Sequence, residues 1–202
     1  MKNYITIFFL ILNVITKAQK KQELPIALKE FMYTDAQFPF GKKNDRAPKE
    51  LEDFGRLTGV WEMTSEKLWQ GTWYKCCQAL WAFKYSVDGY AIEDYWFRYK
   101  ENHPPVGSNR DVDFHGLNLR FYDVKNQEWR MTWVDNLGAF NYYKAKSEKD
   151  EVRMFPDEED PDHKIIFKNI TANSFEWNMQ QRDEKGQWNL VSKSFGVRRD
   201  MD

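Results

Sequence analysis

The chain has 202 residues, 42% of them hydrophobic and 17% aromatic, with 30 basic against 31 acidic side chains, three histidines and two cysteines. That charge balance excludes a protein that coats nucleic acid, which needs a basic surface to neutralise phosphates, and the apolar content excludes intrinsic disorder. The length is that of one compact domain.

Residues 1–18 read as a secretory signal peptide: Lys2 supplies a positive start, residues 5–15 form an apolar run, and Thr16-Lys17-Ala18 offers small residues at a cleavage site. The run is shorter than the roughly 20 apolar residues of a membrane-spanning helix, so no stable membrane anchor is expected and the mature chain is secreted or periplasmic. Residues 19–47 mix polar, proline and aromatic residues and read as a wrapping segment with one short helix near Ile26 to Tyr33. Pro48, the acids that follow it, and Leu51, Phe54 and Leu57 at helical spacing predict a second short helix, a lid over something apolar, at the start of a 48–202 barrel domain.

From Gly59 the hydrophobic period changes to two. Strands are expected at 59–69, 72–85, 89–99, 115–123, 127–134, 139–147, 150–155, 163–170, 173–182 and 187–198, most of them separated by short turns such as Asp88-Gly89 and Leu137-Gly138. Ten sequential antiparallel strands leave two long edges unless the sheet closes. The expected fold is therefore all-β, an up-and-down antiparallel lipocalin-like barrel of about ten strands with a short N-terminal helical lid and an internal cavity.

Trp73, Trp81, Phe83 and Tyr85 share a parity, as do Trp129, Met131 and Trp133. Asn118, Arg120 and Tyr122 alternate with Leu117, Leu119 and Phe121. Hydrophobicity favours the leucine row inward and the polar row as surface; the opposite orientation makes the polar row the lining of a ligand pocket. Cys76 and Cys77 are neighbours on a strand, so one buried and one more exposed thiol are expected rather than a bridge.

Three stretches carry a family resemblance. They are Phe54-Gly55-Arg56-Leu57-Thr58-Gly59-Val60-Trp61-Glu62, Asp88-Gly89-Tyr90-Ala91-Ile92-Glu93-Asp94, and Gly116-Leu117-Asn118-Leu119-Arg120-Phe121-Tyr122-Asp123 followed by Glu128-Trp129-Arg130-Met131-Thr132-Trp133. Together they resemble the secreted lipocalin-like (calycin-like) β-barrel domains of unassigned function, over most of residues 50–199. The resemblance implies the fold and not an activity. In size, export signal and residue inventory the chain also resembles the small exported lyases and dehydratases of polysaccharide-utilisation systems, such as those that process ulvan oligosaccharides.

No phosphate-binding loop, dinucleotide glycine motif, zinc-protease motif or serine-hydrolase elbow is present. Of the histidines, His103 falls in a proline-rich loop, His163 follows an acidic loop, and His115 opens the strand that carries Arg120, at an expected barrel mouth. The acidic run Asp157-Glu158-Glu159-Asp160-Pro161-Asp162 lacks the spacing of a calcium loop and reads as a solvated hairpin tip, so no metal site is assigned.

Aromatic walls suit the C–H faces of a sugar or a flat lipophile. Arg98, Arg120, Arg130, Arg153 and Arg182 all fall in strands, and a guanidinium holds a carboxylate bidentately; each is equally a surface partner for an acid. The function expected first is that of an exported lyase or dehydratase performing β-elimination on uronic-acid oligosaccharides, which needs a base, an acid and a cation but no cofactor. His115 and Tyr143 are the candidate base and acid, with Tyr142 competing should the register differ by one. Arg120 and Asn118 are assigned to the carboxylate, and Trp96, Trp133 and Trp177 to stacking.

The alternative is a non-enzymatic carrier of a lipophilic or glycan ligand, with a dry interior and with His115 and Arg120 facing solvent. A third reading is a protein-binding module with a filled interior and an outer aromatic patch. A cavity holding an arginine, a histidine or tyrosine and two aromatic walls favours the enzyme.

Overall fold

The computed structural model describes residues 24–33, 35–98 and 114–201. The expected signal segment, residues 19–23 of the wrapping segment and His103 lie outside these.

Two short helices, α1 (Ile26–Phe31) and α2 (Glu52–Gly55), precede ten strands: β1 (Gly59–Trp69), β2 (Thr72–Ser86), β3 (Ala91–Arg98), β4 (Phe114–Asp123), β5 (Glu128–Asp135), β6 (Phe140–Glu148), β7 (Glu151–Pro156), β8 (His163–Lys168), β9 (Ser174–Arg182) and β10 (Trp188–Arg198). Each strand pairs with its sequence neighbour and β10 returns to β1, so the sheet closes into an up-and-down antiparallel, lipocalin-like barrel. Every expected strand is present within two residues at either end.

The two ends of the barrel differ. At the lower end the turns are short and the interior is plugged. A 3-10 turn (Lys49–Leu51) leads into α2, and Leu51, Phe54 and Leu57 are buried under the strands. Phe54 meets Trp129 and Phe167 edge-on at 4.9 and 5.4 Å. The plug is pinned by Trp129 Nε1 donating to Asp53 Oδ2 at 3.1 Å and by Trp61 Nε1 donating to the Leu57 carbonyl at 2.6 Å. Burying each such aromatic contributes roughly 1.5–3 kcal/mol. The lid expected from the Pro48 to Leu57 spacing is thus a plug at the lower end.

The wrapping segment does not cap the barrel. Leu28 and Phe31 of α1 pack on Val60, Leu80 and Ala82 on the outer face of β1 and β2, beside Tyr95 and Phe97 of β3. The Lys84 ammonium donates to the Phe31 carbonyl at 2.7 Å and lies 4.2 Å from the Phe31 ring centroid. This cover explains why β1 and β2 carry apolar residues on both faces. Among the described residues no helix is long and apolar enough to cross a membrane.

Sheet register settles the orientation of β4. Asp94 of β3 lies opposite Asn118, and Gly116, Asn118 and Arg120 are buried while Phe121 is exposed. The polar row points inward and the leucine row outward, the reverse of what hydrophobicity favours. The reason is the buried Asp94, which requires inward donors.

β2 contains a break in the parity expected from sequence. Ser65 pairs with Cys77 but Glu66 pairs with Lys75, so Cys76 is an extra residue at a β-bulge. Both thiols consequently turn to the interior, at 6% and 9% exposure, in place of the expected inside and outside pair. Beyond the bulge the parity is inverted: Trp73, which shares the sequence parity of Trp81, lies on the outer face beneath the Lys193 ammonium at 4.7 Å.

Candidate functional site

Above the plug the barrel encloses a cavity of about 300 Å³, at the small end of the range for small-molecule sites. Trp81, Trp96, Trp133 and Trp177 wall it, with Phe114, Met154, Ile165, Phe167 and Met179 filling between them. Trp81 and Trp96 meet edge-on at 5.1 Å. Trp133 lies flat over β4 because residue 116 is glycine, and any β-carbon there would collide with the indole. Its ring nitrogen donates to Asp135 Oδ2 at 3.0 Å.

The floor is a closed polar network. The Asp94 carboxylate accepts from Trp81 Nε1 at 2.6 Å, Asn118 Nδ2 at 3.1 Å and Arg120 Nε at 2.5 Å. Arg120 Nη1 rests on the sulfurs of Met131 and Met154 at 3.2 and 3.3 Å, and its guanidinium stacks 4.6 Å from Phe54 and 5.4 Å from Phe167. Asp94 and Arg120 are 0% and 1% exposed. Such a pair is self-satisfied, and it holds Trp81 and Asn118 rather than presenting a cation ready for a substrate.

The upper part of the wall is different. Lys67 and Arg98 line the cavity there, and among the described residues neither has a carboxylate partner; Arg98 lies 5.0 Å from the Phe114 ring. Beside them stand Cys76 and Cys77, with sulfurs 2.7 Å apart, and the hydroxyl pair Ser65 and Ser194, with oxygens 2.7 Å apart. The Cys77 thiol is pulled down to about 7, first by the hydrogen bond from Cys76 and then, against the effect of burial, by the Arg98 and Lys67 charges and Ser65. The same thiol–thiol bond, with burial, pushes Cys76 up.

On the opposite wall Tyr143 points into the cavity while Tyr142 is 60% exposed. Burial, then the Glu158 and Asp162 carboxylates, raises the Tyr143 hydroxyl above its ordinary value, which keeps it a proton donor. Tyr143 pairs with Pro156, and His163, the first residue of β8, pairs with Gln181 of β9 at the rim and is not among the residues that line the cavity. The His163 ring stands 6.1 Å from that of Tyr143, and its Nδ1 bonds Asp162 Oδ1 at 2.7 Å.

Of the residues singled out in the sequence, Asn118, Arg120, Tyr143, Trp96, Trp133 and Trp177 come together around this cavity. His115 does not. It lies on the outer row of β4, its ring edge-on to Phe97 at 4.7 Å and its Nδ1 hydrogen-bonded to the Tyr95 hydroxyl. The alternation that turns Asn118 and Arg120 in turns His115 out, so it is not the base of a reaction in the cavity.

Arg130, Arg153 and Arg182 are ion-paired to Glu128 and Asp157, to Glu148 and Glu151, and to Asp160, the surface role weighed for each. The acidic run is accordingly tied to basic residues on neighbouring strands. Sequence reasoning makes no mention of Lys67, and it considers the thiol pair and His163 without assigning either to the site. Only His163 had a legible signal, the two-residue spacing that places it in phase with the apolar Ile165 and Phe167.

No family model and no curated protein matches the chain. Among solved structures, the crystal structure of Rv2717c from M. tuberculosis superposes with a TM-score of 0.52 at 9% identity, covering 76% of this chain and 99% of that one. The S-type phycobiliprotein lyase CpeS from Guillardia theta gives 0.42 at 10% identity, covering 75% and 93%. The likeness to Rv2717c shows a common fold.

Proposed function

We propose that this is an exported ligand-binding barrel whose cavity takes a small ligand with a flat apolar body and an anionic head. One observation carries this reading: four tryptophans wall a cavity whose upper end presents Lys67 and Arg98 without a carboxylate partner among the described residues. An apolar body gains from burial against indole faces, and a guanidinium beside an ammonium favours a carboxylate or sulfate over a neutral head group. Of the ligand classes considered, an acidic aromatic or lipophilic molecule and an acidic sugar both satisfy this pattern.

Titration of tryptophan fluorescence with 1-naphthoate, 1-naphthalenemethanol and a uronic-acid disaccharide tests it. The expected result is saturable quenching by naphthoate at least tenfold tighter than by the alcohol, with the difference lost in Lys67→Gln/Arg98→Gln. Equal binding of acid and alcohol, or quenching by neither naphthoate nor the disaccharide, overturns it.

A second reading, cofactor-independent elimination on a uronate, is favoured by the Asp162–His163 bond beside Tyr143. There His163 takes the place assigned to His115 as base and Tyr143 donates to the leaving oxygen. New ultraviolet absorbance of an unsaturated uronate, abolished by His163→Ala, supports it; binding of the disaccharide with no new absorbance leaves a binding barrel alone.

A further inference from the structure

The pair Cys76 and Cys77 is used by neither reading, yet three separate features converge on it. The β-bulge turns both sulfurs into the cavity instead of letting them alternate. They are in mutual contact as free thiols. Two cations, Lys67 and Arg98, line the same wall. Structural cysteines buried in apolar surroundings are inert, whereas reactive ones sit where positive charge and hydrogen-bond donors stabilise the thiolate and a reagent can reach it.

We propose that Cys77 is a nucleophile that anchors an electrophilic ligand covalently in the cavity, the ligand class being an α,β-unsaturated carbonyl with an apolar body. The site rests on the cavity's accepting a small apolar ligand, and it adds the reaction. The Cys77 sulfur lone pair forms an S–C bond at the β-carbon, and the C=C pair moves onto the carbonyl oxygen as an enolate. Lys67 and Arg98 favour this anion as they favour the thiolate. The α-carbon then takes a proton from solvent, replacing the one Cys77 released. The net change is addition of S–H across C=C, and no oxidant or reductant is consumed.

Cys76 has a distinct part. In register Cys77 stands opposite Ser65, beside the Ser65–Ser194 hydroxyl pair, whereas Cys76 is the extra residue of the bulge with no partner on β1; the thiol–thiol bond and burial hold Cys76 protonated, leaving it the donor to Cys77. The two neighbours are therefore not equivalent. A symmetric pair of reactive thiols, or a bridge between them, predicts a different labelling pattern.

The probe is N-ethylmaleimide, with intact-mass and peptide mass spectrometry on the full chain. The expected result is a single adduct on Cys77 whose rate against pH rises with a midpoint near 7, well below that of free glutathione in the same assay. Cys77→Ser abolishes the adduct. Cys76→Ala, which removes the donor, and Arg98→Gln keep it but move the midpoint upward by one unit or more. Adduct on Cys76, labelling of both sulfurs at equal rates, or a midpoint no lower than glutathione's overturns the proposal. Circular dichroism of each variant establishes that it is folded, and Cys77→Ala repeats the loss should Cys77→Ser prove unfolded.

Naphthoate quenching measured in Cys77→Ser separates the two readings. Quenching with no adduct in the wild type sinks the nucleophile and leaves the binding barrel. An adduct that forms in a protein showing no quenching sinks the anionic-ligand reading and leaves the thiol site.

Discussion

The lower and upper halves of one barrel are built on opposite rules. Below, Phe54, Trp129 and Phe167 interlock, and the buried ions are matched: Asp94 accepts three hydrogen bonds and Arg120 is packed among rings and sulfurs. Above, aromatic rings stand around a space of about 300 Å³, and two cations, two thiols, a tyrosine and the Asp135 carboxylate that accepts from Trp133 face it. A completed network stabilises a fold, whereas groups with unused hydrogen-bonding and charge capacity are what a ligand recognises. A change below is therefore expected to lower stability and a change above to alter binding.

The largest effect is expected below. Asp94→Ala removes the acceptor of Trp81 and Asn118 and leaves the Arg120 charge buried without its counter-ion, which costs about 3–5 kcal/mol. Urea denaturation followed by tryptophan fluorescence measures it. A loss under 1 kcal/mol would show that water reaches Arg120 and that the lower half is not closed.

Gly116→Ala probes the boundary between the halves. The added methyl meets the Trp133 indole, which must swing toward the cavity. Overpacking of this kind costs about 1–3 kcal/mol, and naphthoate affinity is expected to fall tenfold or more because the wall moves into the space. Unchanged affinity would mean that Trp133 is not a wall of the binding site.

A pH effect should follow from the thiols. Cys77 is pulled in the fold from its ordinary value near 9 to about 7, so between these values the native state has lost a proton that the unfolded chain retains. Stability then rises as pH increases from 7 toward 9 and is lost as pH falls through 7. Cys76 is raised, so above about pH 9 the unfolded chain ionises where the native one does not, and stability falls again. Urea midpoints at pH 6, 8 and 10 read the rise and the fall; Cys77→Ala should remove the rise and, with the thiol–thiol bond gone, shrink the fall.

The ten strands and the lower plug were legible because each repeats a local signal: period-two alternation between turn residues, or Pro48 followed by Leu51, Phe54 and Leu57 at helical spacing. The site was legible only in part. Whether Leu117 and Leu119 or Asn118 and Arg120 face inward is not contained in β4 itself; it is decided by Asp94 one strand away, a long-range partner invisible to a reading of one segment. The bulge at Cys76 is a one-residue event, and it reverses the face of every side chain before it in β2, which is why parity in the sequence puts Trp73 with Trp81 and the fold does not. Leu28 and Phe31 bury apolar side chains on the outer faces of β1 and β2, and so weaken the rule that apolar means inward.

His115 provides the mildest test and the sharpest check on parity. It shares a strand with Asn118 and Arg120, but an odd offset puts it on the outer face, where it bonds Tyr95 and packs on Phe97. His115→Ala should cost about 1 kcal/mol, the net value of one partly exposed hydrogen bond, and leave naphthoate quenching within twofold of the wild type. Tyr143→Phe, which removes a hydroxyl from inside the cavity, should weaken binding of the disaccharide severalfold while costing no more stability. If His115→Ala weakens binding and Tyr143→Phe does not, β4 and β6 each present the opposite face to the cavity, and the division of the barrel into a sealed lower half and a receptive upper half fails with them.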